Sequence, residues 1–331
     1  MPTGGFHNEL ENSKHIEASN CPLHRLYEKL GTILEKIEES EYIVIEALDP
    51  DFAADRYNGE SISIDDREFI ARNWQFWTTL ASVFKCRMLT PLKVRDDLVV
   101  HIRFQKLSSD SFHDMPYEDA KEKYGSGSIY ESIHKNEEPA FHHYFTQALE
   151  NLDIYNRDKI LDLGSNRGDE FASIRHKVGE KRFSEMKLVG IDHCKSAIAK
   201  ARKRYSDARN VKFIVHDIND LDGVDTGRYD LIISIATLHS PGVEMKPLLM
   251  NLLKIHLEPD GAFLFAFPNS RWVSGELLYG AKAPNYRYSE LSLLFKEIYW
   301  IKKYLQQHRF RVTITGREYI FVTATKIRRK K

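Results

Sequence analysis

The sequence predicts an α/β fold: a mostly parallel seven-stranded sheet ending in an antiparallel C-terminal hairpin, preceded by a smaller α+β domain. Three observations carry this. From about residue 155 onward, short apolar runs alternate with helical patterns, as parallel strands joined by right-handed crossovers require. Only Gly316-Arg317 separates the last two runs, and two residues cannot make a parallel crossover, so these strands must pair antiparallel. The first 110 or so residues lack that alternation and show two helical patterns and a hairpin instead.

Composition sets the frame. The 331 residues are 42% hydrophobic, enough for a real core. Lysine plus arginine (48) balances aspartate plus glutamate (48), which removes a global electrostatic argument for nucleic-acid binding and leaves local patches open. The clearest is Lys326, Arg328, Arg329, Lys330 and Lys331, read as a solvated tail or as an RNA contact. Cys21, Cys86 and Cys194 stand singly, so neither a disulfide framework nor a tetrahedral zinc set comes from them. Adjacent His142 and His143 point about 100° apart on a helix and, with His134, make a poor chelate. No metal is expected. No run reaches the roughly 18 apolar residues that span a bilayer, and the polar N-terminus lacks a signal-peptide segment, so the expected compartment is cytoplasmic.

In chain order, residues 1–20 read as a loose leader. From Pro22 to Glu39, Leu23, Leu26, Leu30, Ile33, Leu34 and Ile37 recur at three and four, an amphipathic helix. Tyr42–Ile45 fits strand or helix. Asp65 and Asp66 precede Phe69, Ile70, Trp74, Phe76, Trp77, Leu80 and Val83, read as a second helix with acids at its start, where the helix dipole favours them. Arg87–Val94 and Leu98–Leu107 form a hairpin across Arg95-Asp-Asp97, completing an α+β domain over 21–127. The polar stretch from Ser108 through Gly127 is a connector.

The second domain, 128–331, opens with a helix carrying Phe141, Tyr144, Phe145, Ala148 and Leu149. Strands follow at 159–164, 187–192, 211–215, 229–234 and 261–267, with helices beginning near Asp169 and Lys195. A long helix over 289–308 leads to the terminal strands 311–315 and 318–324. Glycine at the first turn position, Gly316, suits a type II′ hairpin.

The chemistry lies at the strand ends. Asp162-Leu-Gly-Ser-Asn-Arg-Gly168 follows the first strand of this domain: Gly164 lets the backbone turn without a side-chain clash, and Gly168 opens the next helix close to the sheet. Asp192 ends the second strand, where a carboxylate can accept from both ribose hydroxyls. His216-Asp217-Ile218 follows the third. This series resembles the class I, Rossmann-like S-adenosylmethionine-dependent methyltransferases over roughly the last 175 residues. Their loop usually has a middle glycine where this chain has Asn166, a residue that tolerates left-handed backbone angles. The resemblance implies S-adenosylmethionine as cofactor, with Asp162 near its methionine amino group. Gly164, Ser165, Asn166 and Gly168 would cradle it, Asp192 and His193 would meet the ribose, and Asp217 and Ile218 the adenine. Ser234, at the fourth strand's end, completes the set. A dinucleotide-binding fold shares the outline but requires glycine at position 166 and lacks the terminal hairpin.

On the acceptor side, Ser234-Ile-Ala-Thr-Leu-His-Ser240 resembles the Leu-His ending of many small-molecule methyltransferases and lacks the Asp/Asn-Pro-Pro-Tyr signature of many amino-methyltransferases of DNA, RNA and protein. His239 is the candidate general base. Between the fifth strand and the last helix, residues 268–288 exceed the usual connection of about two to six residues. They offer Trp272, Glu276, Tyr279, Lys282 and Tyr286 as substrate-contacting candidates, and Tyr130 is placed to cover the cofactor. The expected partners are S-adenosylmethionine and a methyl acceptor, a small molecule being favoured over RNA such as tRNA; no membrane is involved. A protein of this fold that binds the cofactor without catalysis is the rival from another class.

Overall fold

A computed structural model describes residues 15–94, 97–108, 124, 125, 127–221, 224, 227–280 and 291–327. They fall into two compact units, one within Met1–Ser111 that also takes in Trp272–Leu278, the other within Phe112–Arg271 and Tyr279–Lys331. The loose leader up to residue 14, most of the 108–127 connector and the basic residues 328–331 lie outside the described residues. Among the described residues, no helix is long and apolar enough to cross a membrane.

The first unit contains, in order, β1 (His15–Glu17), α1 (Leu23–Leu34), β2 (Tyr42–Leu48), β3 (Ser61–Ile64), β4 (Arg67–Ile70), α2 (Trp74–Val83), β5 (Cys86–Lys93) and β6 (Val99–Lys106). Its four-stranded sheet runs β1-β2-β6-β5, with β1 parallel to β2 and the other neighbours antiparallel. Alternate residues of the central strands, Ile43, Ile45 and Ala47 with Val100, Ile102 and Phe104, pack under Leu26, Leu30, Trp77 and Leu80 of the helices. The ambiguous segment at Tyr42 is therefore strand.

One expectation fails here. Asp65 and Asp66 do not start a helix: both have positive φ (49° and 57°) and form the two-residue turn between β3 and β4, where Ile64 pairs with Arg67. A type I′ turn needs left-handed angles at both central residues, which Asp tolerates, and the alternating Ile62, Ile64 and Phe69 supply strand rather than helix periodicity. The helix starts at Trp74, capped by Asn73, whose side chain accepts the Phe76 N–H at 3.1 Å.

The second unit continues with α3 (Pro139–Asn151), β7 (Lys159–Leu163), α4 (Asp169–Val178), α5 (Glu180–Glu185), β8 (Lys187–Asp192), α6 (Lys195–Arg204), β9 (Val211–Val215), β10 (Tyr229–Ile235), α7 (Met245–Asn251) and β11 (Leu257–Pro268). The chain then forms the short paired strands β12 (Ser270–Val273) and β13 (Glu276–Tyr279), whose residues Trp272–Leu278 belong to the first unit, and returns to the second unit with α8 (Ser292–Gln307), β14 (Phe310–Gly316) and β15 (Tyr319–Lys326). The seven-stranded sheet has the order β14-β15-β11-β10-β7-β8-β9. Strand β15 alone is reversed, antiparallel to both β11 and β14, as the sequence predicts.

Period-two alternation splits the strand side chains between two cores. Ile160, Leu188, Leu231 and Leu264 face α3, α4 and α6; Leu161, Val189, Ile232, Phe263 and Phe265 face α7 and α8. Phe263, Phe265 and Phe267 of β11 are fully buried, each side chain contributing about 1.5–3 kcal/mol by leaving water. The terminal hairpin differs in one detail from its expected turn. Gly316 pairs with Ile320, so the connection spans three residues rather than the two of a Gly316-Arg317 turn. Gly316, at φ 120°, is still obligatory, because a Cβ there would lie 1.9 Å from the Tyr319 carbonyl oxygen.

Candidate functional site

Strand order β10-β7-β8-β9 places a topological switch point at β7, and the carboxyl ends of these parallel strands form one edge. Ligands of open α/β sheets bind outside such an edge. The loop Asp162–Gly168 leaves β7 there. Gly164 and Gly168 both have φ 76°, and Asn166 takes the left-handed value 43°. The asparagine thus performs the backbone turn for which a middle glycine would serve. Its side chain is committed as well, Nδ2 donating to the Tyr124 carbonyl at 2.8 Å and Oδ1 accepting the Arg167 N–H at 3.0 Å.

The loop is packed tightly. A Cβ on Gly164 would lie 2.1 Å from Thr237 Oγ1, and one on Gly168 would lie 2.8 Å from Phe213 Cζ. Thr237 belongs to the turn after β10, where Ala236 has φ 56°, an angle strained for a residue with a Cβ. The turns after β7 and β10 are therefore in contact at the switch point. Ser165 is fully buried beneath the loop. Ser234 is equally buried, and its hydroxyl donates to the Leu163 carbonyl at 2.9 Å, tying β10 to β7.

Asp162 has no solvent exposure; among the described residues its carboxyl meets no fixed N–H donor and has the acid Glu170 as its side-chain partner. Burial, reinforced by the neighbouring Glu170 carboxylate, raises its pKa well above the usual carboxylate range. Glu170, two residues into α4's first turn beyond Gly168, is itself buried and paired with Lys135 Nζ at 2.6 Å. Burial opposes the lysine's charge, but Glu170, Tyr130 and Asp169 together outweigh it and the ammonium pKa stays above its ordinary value. Beside it, burial also opposes the Asp169 carboxylate, yet Lys135, Arg204 and Arg167 hold its pKa below normal.

The segment before α3 closes over this loop. Arg167 donates to the carbonyls of Glu131 and Ile133, the latter at 2.6 Å, and Asn136 Nδ2 donates to the Asp169 carbonyl at 2.9 Å. Lys200 pairs with Glu131. Tyr130 sits in this segment, its ring 5.0 Å from that of Tyr124 and edge-on to it. The sequence by itself does not bring Lys135 and Glu170 together. An acid two residues past the loop's last glycine is the local signal that marks Glu170, whereas Lys135 carries none.

The remaining sequence candidates are placed as follows. Asp192 accepts two backbone N–H groups, Asn166 at Oδ2 (2.9 Å) and Cys194 at Oδ1 (2.8 Å), and stands at the same edge as the loop. His193 beside it is exposed. Asp217 is exposed and accepts the Asn219 N–H at 2.9 Å, while Ile218 is buried in the α7–α8 core. His239 is exposed in the turn after β10, its ring 6.4 Å from Phe267. Trp272 and Glu276 belong to the first unit, where Arg87 Nε meets Glu276 Oε1 at 2.5 Å and Val273 and Leu278 pack with Leu107. Tyr279 is exposed in the second unit. Lys282 and Tyr286 lie outside the described residues.

Residues 154–306 match the model of a methyltransferase domain family. No curated protein sequence matches the chain. Among solved structures, the chain is similar to an S-adenosylmethionine-dependent methyltransferase from Aquifex aeolicus, at 17% identity over 54% of this chain and 89% of that one, with a TM-score of 0.39. It is similar to the plantazolicin methyltransferase BpumL in complex with SAH (18%, 58% and 87%, TM-score 0.41). It is also similar to precorrin-6y C5,15-methyltransferase from Geobacter metallireducens (12%, 56% and 88%, TM-score 0.39). The family match falls on the strands and loops that build the switch-point edge, so it is this part of the second unit that is similar to a methyltransferase domain.

Proposed function

We propose that this domain methylates a small-molecule acceptor, with the methyl donor bound across the carboxyl ends of β7, β8 and β9. The observation that carries the donor's placement is Asp162. A fully buried carboxylate that meets no fixed N–H donor is costly, and an incoming ammonium would supply both the charge and the hydrogen bonds it lacks. The methionine amino group of S-adenosylmethionine is such an ammonium. Asp192, already oriented by the amides of Asn166 and Cys194, has lone pairs left for ribose hydroxyls. Asp217 accepts from the adenine amino group in this reading, and the Ile218 backbone N–H meets the ring.

When bound, the donor presents a sulfonium methyl, and this chain's residues align an acceptor with it and take up a proton. Proximity and orientation alone supply several kcal/mol of such a barrier. His239, exposed at the end of β10, is the general base in this reading. Balanced charge, 48 basic against 48 acidic side chains, favours a small acceptor over a phosphate backbone.

Calorimetric titration with S-adenosylhomocysteine tests the donor site; absence of heat at millimolar ligand would sink it. A screen of small alcohols, amines, thiols and carbon acids, read by S-adenosylhomocysteine release, tests the acceptor class. Turnover confined to cellular RNA would replace the small-molecule reading.

A further inference from the structure

The first unit carries a convergence that the methyl-transfer reading does not use. On the sheet face opposite α1 and α2, His15 of β1, Glu46 of β2 and His101 of β6 bring their side chains together, the ligand atoms all lying within 4.8 Å of one another. Glu46 is the hinge of the group: it pairs directly with His101 across the β2–β6 ladder and neighbours β1 on its other side. His101 Nε2 lies 3.6 Å and His15 Nε2 3.8 Å from the same atom, Glu46 Oε2, and the two imidazole rings meet edge-on at 5.4 Å. Among the described residues this is the one group of three or more histidine, cysteine or carboxylate side chains so arranged.

We infer that His15, Glu46 and His101 form a binding site for a divalent transition cation of the zinc(II) class. Two imidazole nitrogens and one carboxylate oxygen are a ligand set that zinc accepts, leaving a fourth tetrahedral position to water. With metal–ligand bonds of about 2.0–2.1 Å, tetrahedral ligand atoms stand roughly 3.3 Å apart, so the two histidine–Glu46 separations of 3.6 and 3.8 Å need to close by only a few tenths of an ångström, while the two imidazole nitrogens lie within 4.8 Å of each other. The chemistry also favours a cation. A metal would draw one lone pair from each imidazole and one from the carboxylate, joining all three side chains. The structural consequence is specific: β1 is three residues long and held to the sheet only through β2. A shared cation would staple it to β2 and β6 at once. None of the three residues takes part in the proposed methyl-transfer site.

The test uses the full chain without an affinity tag, stripped with a chelator and titrated with zinc chloride by calorimetry and with cobalt chloride by visible absorption. One equivalent bound in the micromolar range or tighter, with a tetrahedral cobalt spectrum and a higher melting temperature, is the expected result. His15→Asn, on the exposed edge strand, and His101→Asn should each weaken binding by at least about 100-fold, since loss of a ligand exceeds the cost of losing its outer support. No uptake, or uptake unchanged in both variants, overturns the assignment. Should His101→Asn fail to fold, X-ray absorption on the zinc-loaded unaltered chain decides. Two imidazole ligands support the site, and a sulfur ligand or none of nitrogen overturns it.

Discussion

The backbone N–H of Asn166 donates to Asp192 Oδ2 at 2.9 Å, so the loop after β7 and the acid ending β8 are a single hydrogen-bonded unit before any ligand arrives. Asp192 is therefore both a ribose-binding candidate and a brace for the loop. Asp192→Ala should weaken S-adenosylhomocysteine binding and also destabilise the second unit by about 1–3 kcal/mol, the cost of leaving buried donors unpaired. Urea unfolding and calorimetry on one preparation would show both; a loss of affinity with unchanged stability would mean the loop does not lean on this carboxylate.

Asp162 predicts a pH signature. Because burial and Glu170 make the folded carboxyl a weaker acid, the folded protein holds more protons than the unfolded chain between about pH 4 and the raised pKa. Stability of the ligand-free domain should fall as pH rises through that window. Asp162→Asn should flatten this dependence and raise stability at neutral pH. The same change should cost about 10–100-fold in S-adenosylhomocysteine affinity, the worth of a charged hydrogen bond. Affinity of the unaltered protein should rise with pH over the same window, as the ionised carboxylate is the form that pairs with an ammonium. A flat pH profile of affinity would remove Asp162 from the binding site.

The Lys135–Glu170 pair, 2.6 Å long and almost fully buried, should behave asymmetrically. Lys135→Met leaves an uncompensated carboxylate in the core and should cost about 3–5 kcal/mol. Adding Glu170→Leu should recover most of that loss. Chemical denaturation of the two variants and of Glu170→Leu alone completes the cycle, and simple additivity would show that the two groups do not interact.

Gly164 and Thr237 should couple in the same manner through sterics. Gly164→Ala forces a Cβ to φ 76° and against Thr237 Oγ1, predicting a loss of about 1–3 kcal/mol. Thr237→Ala removes the nearest two atoms and should relieve part of it. If the double variant is as unstable as the sum of its parts, the turns after β7 and β10 do not press on each other.

Replacing His239 probes chemistry apart from binding. His239→Asn should leave S-adenosylhomocysteine affinity within about twofold and lower turnover of an identified acceptor by about 100-fold or more, the range of a positioned base. Equal rates would leave methyl transfer to alignment alone.

Much of this molecule is legible locally. The five parallel strands of the second unit, the reversed strand β15 and the loop Asp162–Gly168 follow from period-two and helical spacing and from glycine placement, signals carried within a few residues. Asn166 in the left-handed region follows from the same short-range chemistry. Where local signals compete, the reading errs: Asp65 and Asp66 suit a helix start and a type I′ turn equally, and the pairing of β3 with β4 decides for the turn. Other features need strand order. Lys135 beneath Glu170, Thr237 against Gly164, the Asn166 amide on Asp192, and the His15, Glu46 and His101 group each join segments far apart in the chain. Strand pairing and crossover packing bring them within a few ångströms, and no spacing along one segment encodes a contact between two.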